Sequence, residues 1–252
     1  MAGRKVTRWQ ASGIHLAISV AIAAAVLTVM LALWYPWPLF QTMGGAGLLL
    51  ILCGVDVVIG PLLTLIVFRQ GKRGLKFDLA AIAAVQLAAL AYGSNVVFLA
   101  RPAFIVFVKD QFQVAIAADL DAARLAKAKY LQFREIPVSG PMLAVADMPS
   151  DPAERNKLVE AALAGIDLEQ FPETFVPYSQ RAAKLLEIAQ PIARIRRSEP
   201  RTGRIIDEWL AGSGKSESEV RYLPLRARRG WIAVLVDAKT AAPVKMLVVE
   251  KF

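Results

Sequence analysis

Residues 14–34, 48–68 and 79–100 are three apolar runs, each about the ~20 residues a helix needs to cross a bilayer, and Asp56 is the only formal charge inside them. Hydrocarbon offers no partners to backbone N–H and C=O groups, so runs of this length are read as helices. Residues 101–252 look like an ordinary soluble domain. The expected fold is therefore a membrane protein with three transmembrane α-helices followed by an α+β extracytoplasmic domain. The membrane domain covers residues 1–100 and the outer domain covers residues 101–252.

The net charge of +9 hides this split. The first hundred residues hold seven Lys/Arg and two acids, Asp56 and Asp78, while the rest holds twenty-three Lys/Arg and nineteen acids. Much of the excess thus flanks membrane helices, and it is not read as a nucleic-acid footprint. Cys53 is the only cysteine and His15 the only histidine, so an intramolecular disulfide and Cys–His metal clusters are excluded.

Flanking charges set the orientation. Arg4, Lys5 and Arg8 precede the first run, the first loop (35–47) carries no charge, and the second loop holds Arg69, Lys72, Arg73 and Lys76 against Asp78. Cytoplasmic loops are enriched in Lys and Arg. The N-terminus and loop two are therefore expected inside, with loop one and residues 101–252 outside, in the periplasm of a bacterial inner membrane. Trp34, Tyr35 and Trp37 stand where an outer aromatic belt would lie. A cleavable signal peptide ending near Ala23-Ala24-Ala25 is the alternative, but the apolar run continues to Leu33.

Asp56 is the sharpest single residue. An acid at membrane depth costs roughly 2.5–3.5 kcal/mol on insertion scales and normally faces the bundle or a polar partner. At 1.5 Å per residue it lies roughly 12 Å below the outer surface, with Thr28 at roughly 9 Å and Asn95 at roughly 8 Å. Both are candidate hydrogen-bond partners. The functional reading has Asp56 receiving a polar group from a partner's helix; the architectural reading has it fixing the register of the three helices. Pro61 frees a backbone carbonyl near Val57 and, with Gly54 and Gly60, predicts a kinked or locally opened second helix. His15 reads as an interfacial residue. Ala17, Ala21 and Ala25 form a small-residue stripe, as do Ala80, Ala84 and Ala88, and packing within the bundle is the favoured use for both.

In the outer domain, β-rich runs at 104–108 and 112–117 around Lys109-Asp110 predict a hairpin. Helices are expected over 119–130, from Asp151-Pro152 towards 163, over 178–195 with Pro191 ending or kinking it, and over 202–210, and a strand over 142–146. Closing strands are expected at 221–225, 231–237 and 244–249. Gly212-Ser213-Gly214-Lys215-Ser216 resembles part of a nucleotide loop, but the position five residues before Gly214 is Trp209 rather than glycine, so an exposed flexible linker is expected. Arg194, Arg196, Arg197, Arg201 and Arg204, and separately Arg226, Arg228 and Arg229, are basic clusters read mainly as solvated faces. No Ser–His–Asp set or G-x-S-x-G elbow is present, and neither an enzyme activity nor a cofactor is expected.

Several motifs occur in order: Arg8-Trp9-x-Ala11-x-Gly13-Ile14-His15-Leu16, Leu33-Trp34-Tyr35-Pro36, and Gly54-Val55-Asp56-Val57-Val58-x-Gly60-Pro61-Leu62-Leu63-Thr64. Lys76-Phe77-Asp78-Leu79-Ala80, Gln86-Leu87-Ala88-Ala89-Leu90-x-Tyr92-Gly93 and Arg101-Pro102-Ala103-Phe104 follow. Together they resemble the type IV pilin accessory proteins, the TfpX/TfpZ family, most closely over residues 8–117. The resemblance implies an inner-membrane accessory or chaperone protein for a cognate type IV major pilin, affecting pilin stability, pilus assembly or pilus dynamics, with no catalytic site. Implied partners are the major pilin, membrane lipid and other pilus-machinery proteins. Asp56, Pro61, Thr28 and Asn95 are the candidate intramembrane contacts, and Arg101 and Pro102 the candidate juxtamembrane ones. The competing readings are an extracytoplasmic sensor, which the ten-residue loop two leaves without an output domain, a lipid-acting enzyme, and a structural subunit of an envelope machine.

Overall fold

The computed structural model describes residues 6–250. Arg4 and Lys5, which enter the charge argument, lie outside the described residues. Among the described residues, three helices are long and apolar enough to cross a membrane: α1 (Arg8–Trp34), α2 (Gly45–Val67) and α3 (Leu75–Leu99). Each begins earlier than hydropathy alone places it: polar first turns extend α1 and α3, and Gly45-Ala46-Gly47 extends α2. The start of α1 is fixed by a capping box: Gln10 N donates to the Thr7 hydroxyl at 3.2 Å and Thr7 N donates to the Gln10 side chain at 2.9 Å. The ends of loop two are turned by Gly71 and Gly74, and Lys72 pairs with Asp78 at 2.7 Å across the start of α3. Two stretches widen into π turns, Met30–Trp34 at the end of α1 and Val55–Ile59 in the middle of α2. The second lies just ahead of Pro61, where the missing N–H predicts an opened ladder.

The chain leaves α3 at Leu99 and enters β1 (Pro102–Val108), which forms an antiparallel hairpin with β2 (Gln111–Ile116). Lys109, at φ 58, and Asp110 make the turn, as the polar break predicts. The remaining strands are β3 (Met142–Ala146), β4 (Phe175–Pro177), β5 (Gln190–Pro191), β6 (Val220–Ala227), β7 (Gly230–Asp237) and β8 (Pro243–Val249). They join one sheet in the order β4-β3-β1-β2-β6-β7-β8, with β5 on the same edge of β6 as β2. The pairs β1–β3 and β2–β6 are parallel and the others antiparallel, so the sheet is mixed. With helices α4 (Pro152–Leu163), α5 (Ala182–Ile188), α6 (Ala193–Ser198) and α7 (Pro200–Ser213), the unit is the expected α+β domain following three membrane helices.

Strand β1 is buried along its whole length and separates two cores. Phe104, Val106 and Val108 face Phe133 and Phe175 on one side. Ile105 and Phe107 share the other side with Phe112, Leu223, Leu225 and Val234, and that core runs on into Tyr35, Leu39 and Met43 at the end of the bundle nearest the sheet. A third core lies under α6 and α7, where Ile195, Ile206 and Leu210 meet Tyr222 and Leu235.

Three local expectations are corrected. The helix expected over 119–130 is a single turn, Ala122–Leu125, capped by Asp121 through Ala123 N at 2.6 Å. It stops because Ala128 and Phe133 turn into the core. The helix expected over 178–195 ends ahead of Pro191, as that proline predicts, but the span is split further than a kink would make it, into α5, β5 and α6, with Pro191 beside Arg221 of β6. The expected flexible linker at 212–216 is an ordered cap. Gly214, at φ 69, ends α7, Ser216 forms a capping box with Glu219, and Lys215 reaches Asp237 at 3.0 Å.

Candidate functional site

A seam of polar side chains joins the three membrane helices. Asp56, on the π turn of α2, is 8% exposed. Gln86 of α3 donates from its amide to the Asp56 carboxylate at 3.2 Å and to the Asp56 carbonyl at 3.4 Å. From the other side, the Ser12 hydroxyl of α1 donates to the Pro61 carbonyl at 2.9 Å, and His15 Nδ1 pairs with the Thr64 hydroxyl at 2.6 Å. The His15 ring and the Gln86 amide converge on Gly60, where a Cβ would stand 2.8 Å from His15 Nε2 and 2.2 Å from Gln86 Nε2. In an apolar medium such groups hold helices together because separation leaves them without partners.

Gly60→Ala is expected to push the Gln86 amide off Asp56 and to lower thermal stability in detergent by about 1–2 kcal/mol. In a Gln86→Ala background the same substitution should cost clearly less. Equal costs in the two backgrounds would show that the amide is not what Gly60 accommodates.

The seam uses only one of the four intramembrane residues expected from sequence as a side-chain hydrogen-bonding group, Asp56, and Pro61 contributes its carbonyl. Thr28 folds back on its own helix, donating to the Ala24 carbonyl at 2.8 Å, and Asn95 is exposed on α3, so neither is the partner of Asp56. Depth along a helix fixes height but not the direction in which a side chain points. Ser12, His15, Thr64 and Gln86 were missed as seam residues. Their signal is the matched spacing of Ser12 and His15 with Pro61 and Thr64, three residues apart on each helix. His15 stands two turns after the start of α1 at Arg8, where its ring meets the Thr64 hydroxyl of α2. The alanine stripes also differ from expectation: Ala17, Ala21 and Ala25 of α1 and Ala80, Ala84 and Ala88 of α3 are exposed. The close approach of α2 and α3 falls instead at Gly93, where a Cβ would be 2.4 Å from Leu52 Cδ1.

A second polar set clamps the bundle to the sheet. Arg101 is 4% exposed. Its guanidinium donates to the Pro137 carbonyl at 3.2 and 3.0 Å and to the Phe98 carbonyl at 2.6 Å, and it lies 3.6 Å from the centroid of the Phe98 ring. The Tyr35 hydroxyl donates to the Val97 carbonyl at 3.0 Å, and Trp34 meets Phe98 edge-on at 5.2 Å. Gly140 N donates to the Leu33 carbonyl, and Arg229 N donates to the Thr42 carbonyl at 2.8 Å. Arg101 and Pro102, expected as juxtamembrane contact residues, are therefore buried inside this clamp rather than displayed on a surface.

Comparison with known proteins identifies the relatives of this chain. The model of the family "Fimbrial assembly protein FimB" matches residues 3–44. The serogroup I fimbrial assembly protein of Dichelobacter nodosus is 33% identical over 231 residues, 89% of each chain. The serogroup E1 protein of the same organism is 32% identical over 230 residues, again 89% of each. The protein of serogroups C1 and C2 is 38% identical over 112 residues, 43% of this chain and 85% of its own. No solved structure matches the chain. The relatives agree with the resemblance carried by the motifs, and they span both the helices and the sheet: the chain belongs to the fimbrial assembly protein family.

Proposed function

We propose that this protein is an inner-membrane accessory protein for a cognate type IV major pilin, with its N-terminus cytoplasmic and its sheet domain periplasmic. In this reading it acts as a chaperone-like partner that affects pilin stability, pilus assembly or pilus dynamics, and it needs no catalytic step, metal or cofactor. The observation that carries the reading is the pairing of uncovered small-residue faces on α1 and α3 with a sheet domain fixed to the same bundle. Small-residue faces let a second helix approach closely. A pilin waiting in the membrane, with one apolar helix and an outer globular head, would meet both surfaces at once. The charge asymmetry of the loops supports the orientation. Asp56 is engaged by Gln86, which supports an architectural role for it in the partner-free protein.

The reading is tested by site-specific photocrosslinking in the native host. Probes at Ala21 and Ala84, and others on exposed positions of the sheet domain such as Leu163, are expected to capture the major pilin. Capture from none of these positions in cells that make pilin would refute the proposal. Asp56→Ala is expected to reduce pilin co-purification through loosening of the seam, and the Asp56→Asn variant, which keeps a carbonyl for Gln86, to retain most of it.

A further inference from the structure

A cavity of about 620 Å³ lies where the sheet domain meets loop one. Met43, two residues before α2 begins, forms its membrane-side edge, so the cavity stands at the level where the membrane helices end. Its lining carries charges of both signs. Asp119, Asp167 and Glu169 line it together with Arg226 and Arg228, which lie at the end of β6 and in the turn after it. Among the described residues, none of these five side chains forms an ion pair within 4.0 Å. Asp119, Asp167, Arg226 and Arg228 are exposed, whereas Glu169 is 7% exposed. The Gln113 amide of β2, with its nitrogen towards Glu169, donates to both carboxylate oxygens at 3.1 and 3.3 Å. Charges of both signs thus share one cavity at the membrane surface without neutralising each other by contact.

We infer that this cavity binds the headgroup of an aminophospholipid, with the phosphate held by Arg226 and Arg228 and the primary ammonium by the carboxylates of Asp119, Asp167 and Glu169. The volume falls in the range of small-molecule sites. Arginine forks match phosphate oxygens, and an –NH3+ group has three donors for carboxylates. A quaternary ammonium lacks those donors, and an anionic headgroup would be repelled by the carboxylates. The site is therefore selective between headgroups that share a phosphate. The inference concerns lipid and is independent of any pilin.

Glu169 adds a pH signature. Burial, opposed by its own backbone hydrogen bond and by the charge of Arg226 and reinforced by the negative charges of Asp167 and Asp119, pushes its carboxyl up to about 7. The groups facing it are Gln113 of β2, Asp119 beyond β2, Asp167 on its own turn and Arg226 of β6. Below pH 7 Glu169 is neutral and above it is a carboxylate. Since an ammonium favours the charged form, retention of the ligand should rise as pH rises through 7.

The test is native mass spectrometry of the full chain released from detergent micelles containing phosphatidylethanolamine, phosphatidylcholine or phosphatidylglycerol. Phosphatidylethanolamine is expected to be retained preferentially, and more at pH 8 than at pH 6. Asp119→Asn with Asp167→Asn, both at exposed positions, should reduce that retention roughly tenfold without changing the melting temperature. Glu169→Gln should abolish the pH dependence. Arg226→Gln with Arg228→Gln should weaken retention of every phospholipid. Equal retention of the three lipids, or preference for phosphatidylglycerol, overturns the inference. Free phosphoethanolamine binding as tightly as the lipid would make a soluble phosphate ester the ligand and overturn the lipid assignment.

Discussion

Arg101→Ala is expected to destabilise the protein by about 3–4 kcal/mol and to separate the motions of the sheet domain from those of the bundle. The side chain is buried, it gives hydrogen bonds to the Pro137 and Phe98 carbonyls, and it stacks on the Phe98 ring. Truncation leaves two carbonyls without their charged donor and opens a void beside an aromatic ring. It also removes a cation from the C-terminal end of α3, where the helix dipole favours one. Arg101→Lys keeps the charge but not the planar fork or the stacking, so it should recover only part of the loss. Thermal melting in detergent measures the first effect, and limited proteolysis between α3 and β1 measures the second. A melting temperature within experimental error of the wild type for Arg101→Ala would rule out the clamp as a stabilising element.

Phe104→Ala should cost about 4 kcal/mol and act on the sheet rather than on the junction. Phe104 is fully buried in β1 and packs edge-on against Phe133 at 5.9 Å and Phe175 at 5.4 Å, while those two rings meet each other at 5.7 Å. The three rings come from β1, from the turn after 130 and from β4, so the cluster ties together segments distant in sequence. Removing the Phe104 ring deletes two of the three aromatic contacts, each about 0.5–1.5 kcal/mol beyond its buried area, and leaves a cavity beside the other two rings. Phe104→Leu keeps most of the volume and should cost about 1.5 kcal/mol. The midpoint of denaturant unfolding followed by circular dichroism measures the loss; retention of the wild-type midpoint by Phe104→Ala would contradict the packing argument.

The membrane half is legible in sequence because the bilayer imposes a length and an apolar composition that 14–34, 48–68 and 79–100 satisfy. The β1–β2 hairpin is legible because its two runs are adjacent and broken by Lys109-Asp110. The sheet order is not, since the pairing of Phe112 with Leu225 joins residues separated by most of the outer domain, and no local pattern encodes it. The helix over 119–130 was misread because propensity favours it while the burial of Ala128 and Phe133 opposes it. In the seam, Asp56 is conspicuous by its charge, but Gln86, Ser12 and Thr64 are ordinary residues whose meaning depends on which side of each helix faces inward. The headgroup cavity is assembled from four separate segments, each unremarkable alone.

Three backbone and side-chain attachments join the sheet to the end of α1, to loop one and to the end of α3. Three separate points fix the orientation of a rigid body, whereas one would leave a swivel. Helices tilt to match the thickness of the bilayer around them. With the sheet held at three points, a change in the tilt of the helices is expected to be passed on to the sheet rather than absorbed in a single flexible link.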